Sequence, residues 1–347
     1  MIVVTGGAGF IGSNLVSALN RRGVRDILVV DDVTDAAKAR NLFDLQIGDY
    51  MDKAEFLDAI RSERPDPSLQ RVSAVLHQGA CTDTMATDGK YVLDNNYAYS
   101  RALYYFCAQR RAQYIYASSA SVYGHGTRFA ETPRNESALN AYAWSKLLFD
   151  QFVRRQPVAR PPQFQCVGLR YFNVYGRRER HKGRMASVAW HFFNQYMAHG
   201  RVRLFEGSDG YADGEQQRDF VSVEDVVAVN LFLLDNPAVS GIYNVGSGCS
   251  CSFNRVAVAV INACRRHRRE TEITLEQARR GGQIAYIPMP ETLRGKYQSY
   301  TCADLRQLRA AGYGAPFLDV PQGVGGYVSA LLQAPDRTGN VRGGGAS

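Results

Sequence analysis

No apolar run in this 347-residue chain reaches the length of a membrane-spanning helix. The first residues enter a core-like apolar stretch at once, so neither a signal peptide nor a membrane partner is expected. Cysteine is scarce and unsuited to metal: positions 81, 107, 166, 249, 251, 264 and 302 are odd in number, none forms Cys-x-x-Cys, and Cys249-Ser250-Cys251 is not a ligand spacing. Reduced thiols, no metal and a cytoplasmic location are expected. Basic residues nowhere interleave with aromatics in a stripe, so the net charge of +8 does not point to nucleic acid. The densest run, Arg265-Arg266-His267-Arg268-Arg269, closes an amphipathic helix, where cations complement the helix dipole and face water. The surplus instead suits an anionic cofactor and substrate. No internal repeat is visible. What is present, 45% hydrophobic and 21% charged residues, fits a globular protein long enough for two lobes.

The apolar run Ile2-Val3-Val4 leads into Thr5-Gly6-Gly7-Ala8-Gly9-Phe10-Ile11-Gly12, and Phe10, Ile11, Leu15 and Leu19 then recur at helical spacing. In a strand–turn–helix of this kind Gly6 permits the tight turn, Gly9 lets backbone approach a pyrophosphate, and Gly12 lets the helix pack close to the strand. The helix N-terminus offers free N–H groups to phosphate oxygens. A second apolar run, Ile27 to Val30, ends in Asp31-Asp32, where a ribose-binding acid belongs. An ordinary glycine turn is the bland alternative, but strand, helix and acid together read as a dinucleotide site.

Residues 33–44 read as a polar loop beside the adenosine ribose, and Lys38 and Arg40 there suit a 2′-phosphate. NADP is therefore expected, with NAD as the alternative. Gln46-Ile47-Gly48-Asp49 reads as a third strand, followed by a helix from Lys53 to Ile60. Strands are also predicted at Ala74–Gln78, Tyr114–Ser118 and Cys166–Tyr171, with a helix through Asn95-Asn96 to Arg110. This alternation implies an α/β fold, a Rossmann-type doubly wound parallel sheet over residues 1–175. A helix from Val223 to Leu234 and a strand at Ile242–Val245 read as returning to that sheet, so that 222–246 belongs with it. Residues 176–335 form a smaller substrate-binding lobe, and 336–347 a disordered tail.

Ser118-Ser119-Ala120-Ser121 follows a strand, and Tyr142-Ala143-Trp144-Ser145-Lys146 opens a helix. Of 20 tyrosines only Tyr142 has a lysine four residues later, one helical turn away on the same face. An ammonium there lowers a phenol pKa from about 10. With a serine hydroxyl to hold the substrate oxygen, the pair can take an alcohol proton while a nicotinamide takes the hydride. A surface Tyr–Lys pair is the alternative.

With these motifs the chain resembles the extended short-chain dehydrogenases, the family of nucleotide-sugar epimerases and dehydratases. Further stretches are similar to its ADP-glyceromanno-heptose 6-epimerases of lipopolysaccharide core synthesis: Asp49-Tyr50-Met51-Asp52-Lys53, Asp94-Asn95-Asn96-Tyr97, Arg170-Tyr171-Phe172-Asn173-Val174-Tyr175-Gly176, His181-Lys182-Gly183, Met185-Ala186-Ser187-Val188-Ala189, Phe205-Glu206-Gly207-Ser208, Arg218-Asp219-Phe220 and Lys296-Tyr297-Gln298. The likeness spans residues 1 to about 333. It implies oxidation of heptose carbon 6 and return of the same hydride to the opposite face, assisted by Tyr142 and Lys182 with Lys146 and Ser119. It further implies that Gly6, Gly9, Phe10, Ile11, Gly12, Asp31, Asp32, Lys38, Lys53, Gln78, Gly79, Ala80, Cys81, Thr82, Asn95, Lys146 and Val174 contact cofactor. Ser119, Asn173, Arg184, His191, Phe205, Glu206, Gly207, Ser208, Arg218 and Tyr297 are implied to contact the ADP-heptose. A homo-oligomer, typically a pentamer, is implied too.

The sequence departs from that pattern in places. Arg184 replaces a small serine, which opens a new phosphate contact, and Asp32 replaces an asparagine, which weakens the NADP preference. Residues 211–216 and 268–280 look inserted, and both are expected to lie in loops clear of the signature residues. A sugar dehydratase needs an Asp-Glu pair where Ala120 and Ser121 stand. A UDP-hexose 4-epimerase, opposed mainly by the Lys182 loop, and a non-catalytic dinucleotide sensor remain as alternatives.

Overall fold

In strand β1, Ile2–Thr5, successive side chains are buried on opposite faces. Val3 packs with Leu28, Val30, Val75 and Tyr114, while Val4 packs with Leu15, Val29, Leu76 and Ile115. A strand apolar on both faces demands helices above and below it. The computed structural model describes residues 1–62, 64, 66–83, 86–156, 164–291 and 298–333; Lys296, Tyr297 and the tail from Asp336 lie outside them.

The further strands are β2 (Ile27–Asp31), β3 (Asp49–Asp52), β4 (Ala74–His77), β5 (Gln113–Ser119), β6 (Cys166–Tyr171), β7 (Asn173–Tyr175), β8 (Val202–Phe205), β9 (Gln217–Ser222), β10 (Gly241–Val245), β11 (Ser250–Ser252) and β12 (Ile284–Ile287). Among the described residues seven strands form one parallel sheet in the order β10-β6-β5-β4-β1-β2-β3. The order reverses between β1 and β4, and a crevice for a ligand opens beyond the strand ends at such a point. The return of the chain is direct: Gly241–Val245 pairs with Val167–Tyr171. A three-stranded sheet, β11-β9-β7, and a two-stranded one, β12-β8, lie outside it.

A separate apolar core joins the helices Val188–His199, Phe253–His267 and Val320–Gln333 to β8 and β12, through Phe192, Tyr196, Leu204, Val256, Val260, Ile284, Val324 and Val328. No helix among the described residues is long and apolar enough to cross a membrane.

Two local expectations shift. The third strand lies at Asp49–Asp52, not Gln46–Asp49, and pairs with β2 alone. An edge strand needs no apolar run, and this one ends where Asp52 caps the helix Lys53–Arg61 by accepting from Ala54 N–H at 2.7 Å. The 33–44 loop holds a short helix, Ala36–Ala39, because Asp35 caps it by accepting from Ala37 N–H at 2.8 Å.

Candidate active site

The glycine turn occupies the β1/β4 switch point. Gly6 has φ +65°, and a Cβ there would stand 2.5 Å from Gly79 N. A Cβ on Gly12 would stand 2.1 Å from the Gly6 carbonyl oxygen, so the helix Phe10–Arg21 sits against the turn only because Gly12 lacks one. Gly9 is the N-cap of that helix and supplies no side-chain acceptor, which leaves the first N–H groups of the helix for a ligand. A cavity of about 490 Å³ opens there. Gly6, Gly9, Phe10, Ile11, Gly12, Asp31, Asp32, Lys38, Lys53, Gln78, Gly79, Ala80, Cys81, Thr82 and Asn95 all line it, whereas Val174 and Lys146 do not. Tyr91 and Tyr99 also reach it, from helical turns that carry no motif.

The two acids beside the cavity do different things. Asp31 is buried: Oδ2 accepts from Ala8 N–H at 2.8 Å, and Oδ1 accepts from Asp32 N–H at 2.7 Å and from the Lys38 ammonium. It pins the glycine turn and holds one lysine. Asp32 Oδ2 lies 3.1 Å from Lys53 Nζ, and that bond, with those from Thr34, holds its carboxyl below the usual range. Both ammoniums that a 2′-phosphate would meet are thus already answered by carboxylates.

On the other side of the switch point Asn140 caps the helix Ala141–Arg154, accepting from Ala143 N–H at 2.8 Å. Lys146 is buried and donates to the Ala117 carbonyl at 2.9 Å; burial brings its pKa down to about 8, against the pull of Asp150. Tyr142 does not show the lowered pKa expected of it. Burial pushes its phenol up, and the bond with Ser119 only partly offsets that. The Ser119 hydroxyl stands 2.9 Å from that of Ser121 and closes β5. Neither Tyr142 nor Ser119 lines the cavity; Cys81, in its wall, donates its N–H to Asn96 at 2.8 Å, and Asn96 donates to the Ser145 hydroxyl at 3.0 Å, which ties the wall to the helix that carries Tyr142 and Lys146.

A buried polar chain runs behind this helix. His77 joins the Thr5 hydroxyl at 2.6 Å to that of Ser100 at 2.8 Å, and Ser100 donates to the Asn96 carbonyl at 2.6 Å. Asn96 sits in a π-helical turn, Asp94–Ala98, and bonds both Cys81 and Ser145. The Asn95-Asn96 motif hints at this site, but the Thr5 and His77 partners are invisible in sequence.

Lys182 does not dangle from a loop. It lies in the helical turn Arg180–Met185, lines the cavity half-buried, and holds its ammonium 5.4 Å from the Phe10 ring centre. Burial lowers its pKa, with Glu179 opposing. Asn41 ties this turn to the glycine turn: its amide donates to the Ala8 carbonyl at 3.0 Å and the Arg178 carbonyl at 3.1 Å, and stands 3.1 Å from His181 Nδ1.

The residues expected to hold substrate are more scattered. Arg184 lines the cavity, but it is exposed and pairs with Asp83 at 2.6 Å. His191 is on the helix Val188–His199, 3.3 Å from the Arg184 carbonyl. Asn173 is exposed on β7, Arg218 is buried on β9, and neither lines the cavity. Phe205, Glu206, Gly207 and Ser208 also lie outside its wall. The expectation that residues 211–216 stay clear of the signature residues is overturned. Asp213 Oδ1 accepts from Gly207 N–H at 2.9 Å, Gly214 N–H donates to the Phe205 carbonyl at 3.0 Å, and Gln216 donates to the Glu206 carbonyl at 2.9 Å. The insertion folds back because the Asp213 carboxylate, the Gly214 N–H and the Gln216 amide can satisfy the otherwise open backbone of Phe205–Gly207.

The sequence model of the NAD dependent epimerase/dehydratase family matches residues 2–246. The chain belongs to this family. Among its relatives, the ADP-L-glycero-D-manno-heptose-6-epimerase of Thiobacillus denitrificans is 57% identical over 332 residues, covering 96% of this chain and 98% of that one. A crystal structure of the Helicobacter pylori ADP-L-glycero-D-manno-heptose-6-epimerase superposes with TM-score 0.74 at 29% identity, covering 96% of each chain. The Thermus thermophilus UDP-glucose 4-epimerase, solved with NAD, also gives TM-score 0.74, at 26% identity over 96% of this chain and 99% of that one. As a member of the epimerase/dehydratase family the chain uses a nicotinamide dinucleotide, and its glycine turn, uncapped helix end and lysine-flanked cavity fit one.

Proposed function

We propose that the chain is an ADP-heptose 6-epimerase using NADP, with 1–175 and 222–246 holding the cofactor and the rest of 176–335 the sugar. The observation that carries this reading is Lys182, a half-buried amine in the wall of the cavity that the glycine turn opens. The 57% identity to the Thiobacillus enzyme supports it over a 4-epimerase, since the fold similarity is equal for both. The bound nicotinamide supplies a hydride acceptor that returns what it takes. Tyr142, hydrogen-bonded to Ser119, handles the hydroxyl proton on one face of carbon 6. Lys182, its pKa lowered by burial, handles it on the other. Lys146 keeps a positive charge near Tyr142 as the proton leaves. Incubation of the purified protein with ADP-D-glycero-D-manno-heptose should yield the L-glycero epimer with no net change in cofactor redox state; turnover of UDP-glucose instead would select the 4-epimerase reading.

NADP is expected to win over NAD by a narrow margin, because Asp31 and Asp32 already neutralise Lys38 and Lys53. Asp32→Asn frees Lys53 and should tighten NADP by about 1 kcal/mol, roughly fivefold, while NAD affinity stays put. Titrating both nucleotides into stripped protein tests this; an NAD preference untouched by the substitution would sink it.

A further inference from the structure

We propose that Glu179 is the positioning residue for Lys182, holding both ends of segment 176–187 on one carboxylate; this rests on the function proposed above. Oε1 accepts from Gly176 N–H at 3.1 Å and from the Ser187 hydroxyl at 2.8 Å, and Oε2 accepts from Ser187 N–H at 2.5 Å. The Glu179 carbonyl also accepts from Lys182 N–H at 2.9 Å, so the same residue fixes the turn from which the lysine projects. Glu179 is 1% exposed, and the Tyr327 hydroxyl bonds it from the helix Val320–Gln333. A buried carboxylate that takes three of its hydrogen bonds from the two ends of one segment closes that segment, because opening it leaves a charge away from water with the Tyr327 hydroxyl alone. Gly183, at φ 52°, lets the chain reverse beyond the lysine.

The carboxylate also acts on the amine by charge. Burial depresses the Lys182 pKa and Glu179 opposes that. Other charged groups nearby are His181 and Arg184 of the same turn, Lys38 from the helix Ala36–Ala39 with Asp35 at its N-cap, and Asp83 from the segment after β4, which Arg184 already engages. Glu179 therefore does two things for Lys182: it fixes the turn and keeps the amine able to carry a proton.

The test uses Glu179→Gln, which keeps shape but loses the charge and one acceptor, and Ser187→Ala, which loosens the clasp and keeps the charge. With the protein loaded with the reduced dinucleotide NADPH as hydride donor, an ADP-sugar with a deuterated aldehyde at carbon 6 is reduced to an alcohol whose configuration reports which face was served. Both variants should bind NADP within twofold of wild type and lose the Lys182-side configuration at least tenfold, while the Tyr142-side product persists. Independently of any activity, labelling of the Lys182 amine by an amine-directed reagent, read by peptide mass spectrometry against pH, should move its midpoint to lower pH in Glu179→Gln only. Equal loss of both configurations would make Glu179 merely structural. An unchanged configuration ratio in folded Ser187→Ala overturns the proposal even if Glu179→Gln fails to fold. A labelling midpoint that stays in place removes the electrostatic part, whether or not the enzyme acts on heptose.

Discussion

Replacing Tyr142 by Phe, or Lys182 by Met, should each slow interconversion of the two 6-epimers by on the order of 10²–10⁴-fold, the usual size of one acid–base contribution. Epimerisation needs the ketone reduced from either face, so losing one group blocks the cycle even when the other works. The two groups reach their task by different physics. Tyr142 is raised by burial and eased by Ser119, while Lys146, one helical turn along, has a pKa of about 8 and carries charge only while protonated. Lys182 is lowered by burial alone, against Glu179. The Tyr142-dependent step should therefore weaken as pH rises through about 8 and Lys146 loses its proton. The Lys182-dependent step, in the direction where the amine accepts a proton, should instead gain as pH rises toward the Lys182 pKa, which burial holds below the ordinary lysine value. With a carbon 6 aldehyde each single mutant keeps the reduction its remaining group assists, and the double mutant loses both. Near wild-type epimerisation by Lys182→Met, measured on ADP-heptose by resolving the epimers, would remove the lysine from the mechanism.

The largest stability effect is expected at Arg170, which is fully buried at the centre of a charged cluster. Its Nε and Nη2 donate to Asp150 Oδ2 at 2.9 and 2.8 Å, and Nη2 donates to Glu136 Oε1 at 2.5 Å. Asp150 also accepts from the Tyr116 hydroxyl at 3.0 Å and the Ser118 hydroxyl at 2.9 Å. Arg170→Met fills the volume but leaves the buried Asp150 without its cation and Glu136 with Arg154 alone, at a cost of about 3–5 kcal/mol. That corresponds to a drop in Tm on the order of 10 °C. Adding Asp150→Asn removes the more deeply stranded charge and should restore part of the loss, a coupling that thermal unfolding of the four variants measures.

Acid pH should reproduce the effect in part. Burial pushes the Glu136 carboxyl up, but Arg154 and Arg170 more than offset it, so its folded pKa lies below the ordinary value of 4.5. The stability it contributes is present above that value and is lost as pH falls through the folded pKa. A loss under about 1 kcal/mol in Arg170→Met would mean that the cluster relaxes or takes up water.

Sequence by itself determined the parts of this protein whose cause is local. Ile2-Val3-Val4 and the glycines at 6, 9 and 12 specify a strand, a turn and a close-packed helix, because the constraint lies in each residue's own backbone and its period along the chain. The same holds for Tyr142 and Lys146, which one helical turn puts on one face, and for the strands at 74, 113, 166 and 241, whose apolar runs demand burial on both sides. Tertiary structure decided the rest, because it depends on partners distant in sequence. Asp31 reads as a ribose acid, yet Ala8 N–H and Lys38 engage its carboxylate. Residues 211–216 look like a free loop, yet they satisfy the backbone of 205–208. Lys182 belongs to a polar, charged stretch that by composition faces water. Only the packing of its turn against the glycine turn, through Asn41, and the clasp of Glu179 take it partly out of solvent, and a partly desolvated amine has a different pKa from a solvated one.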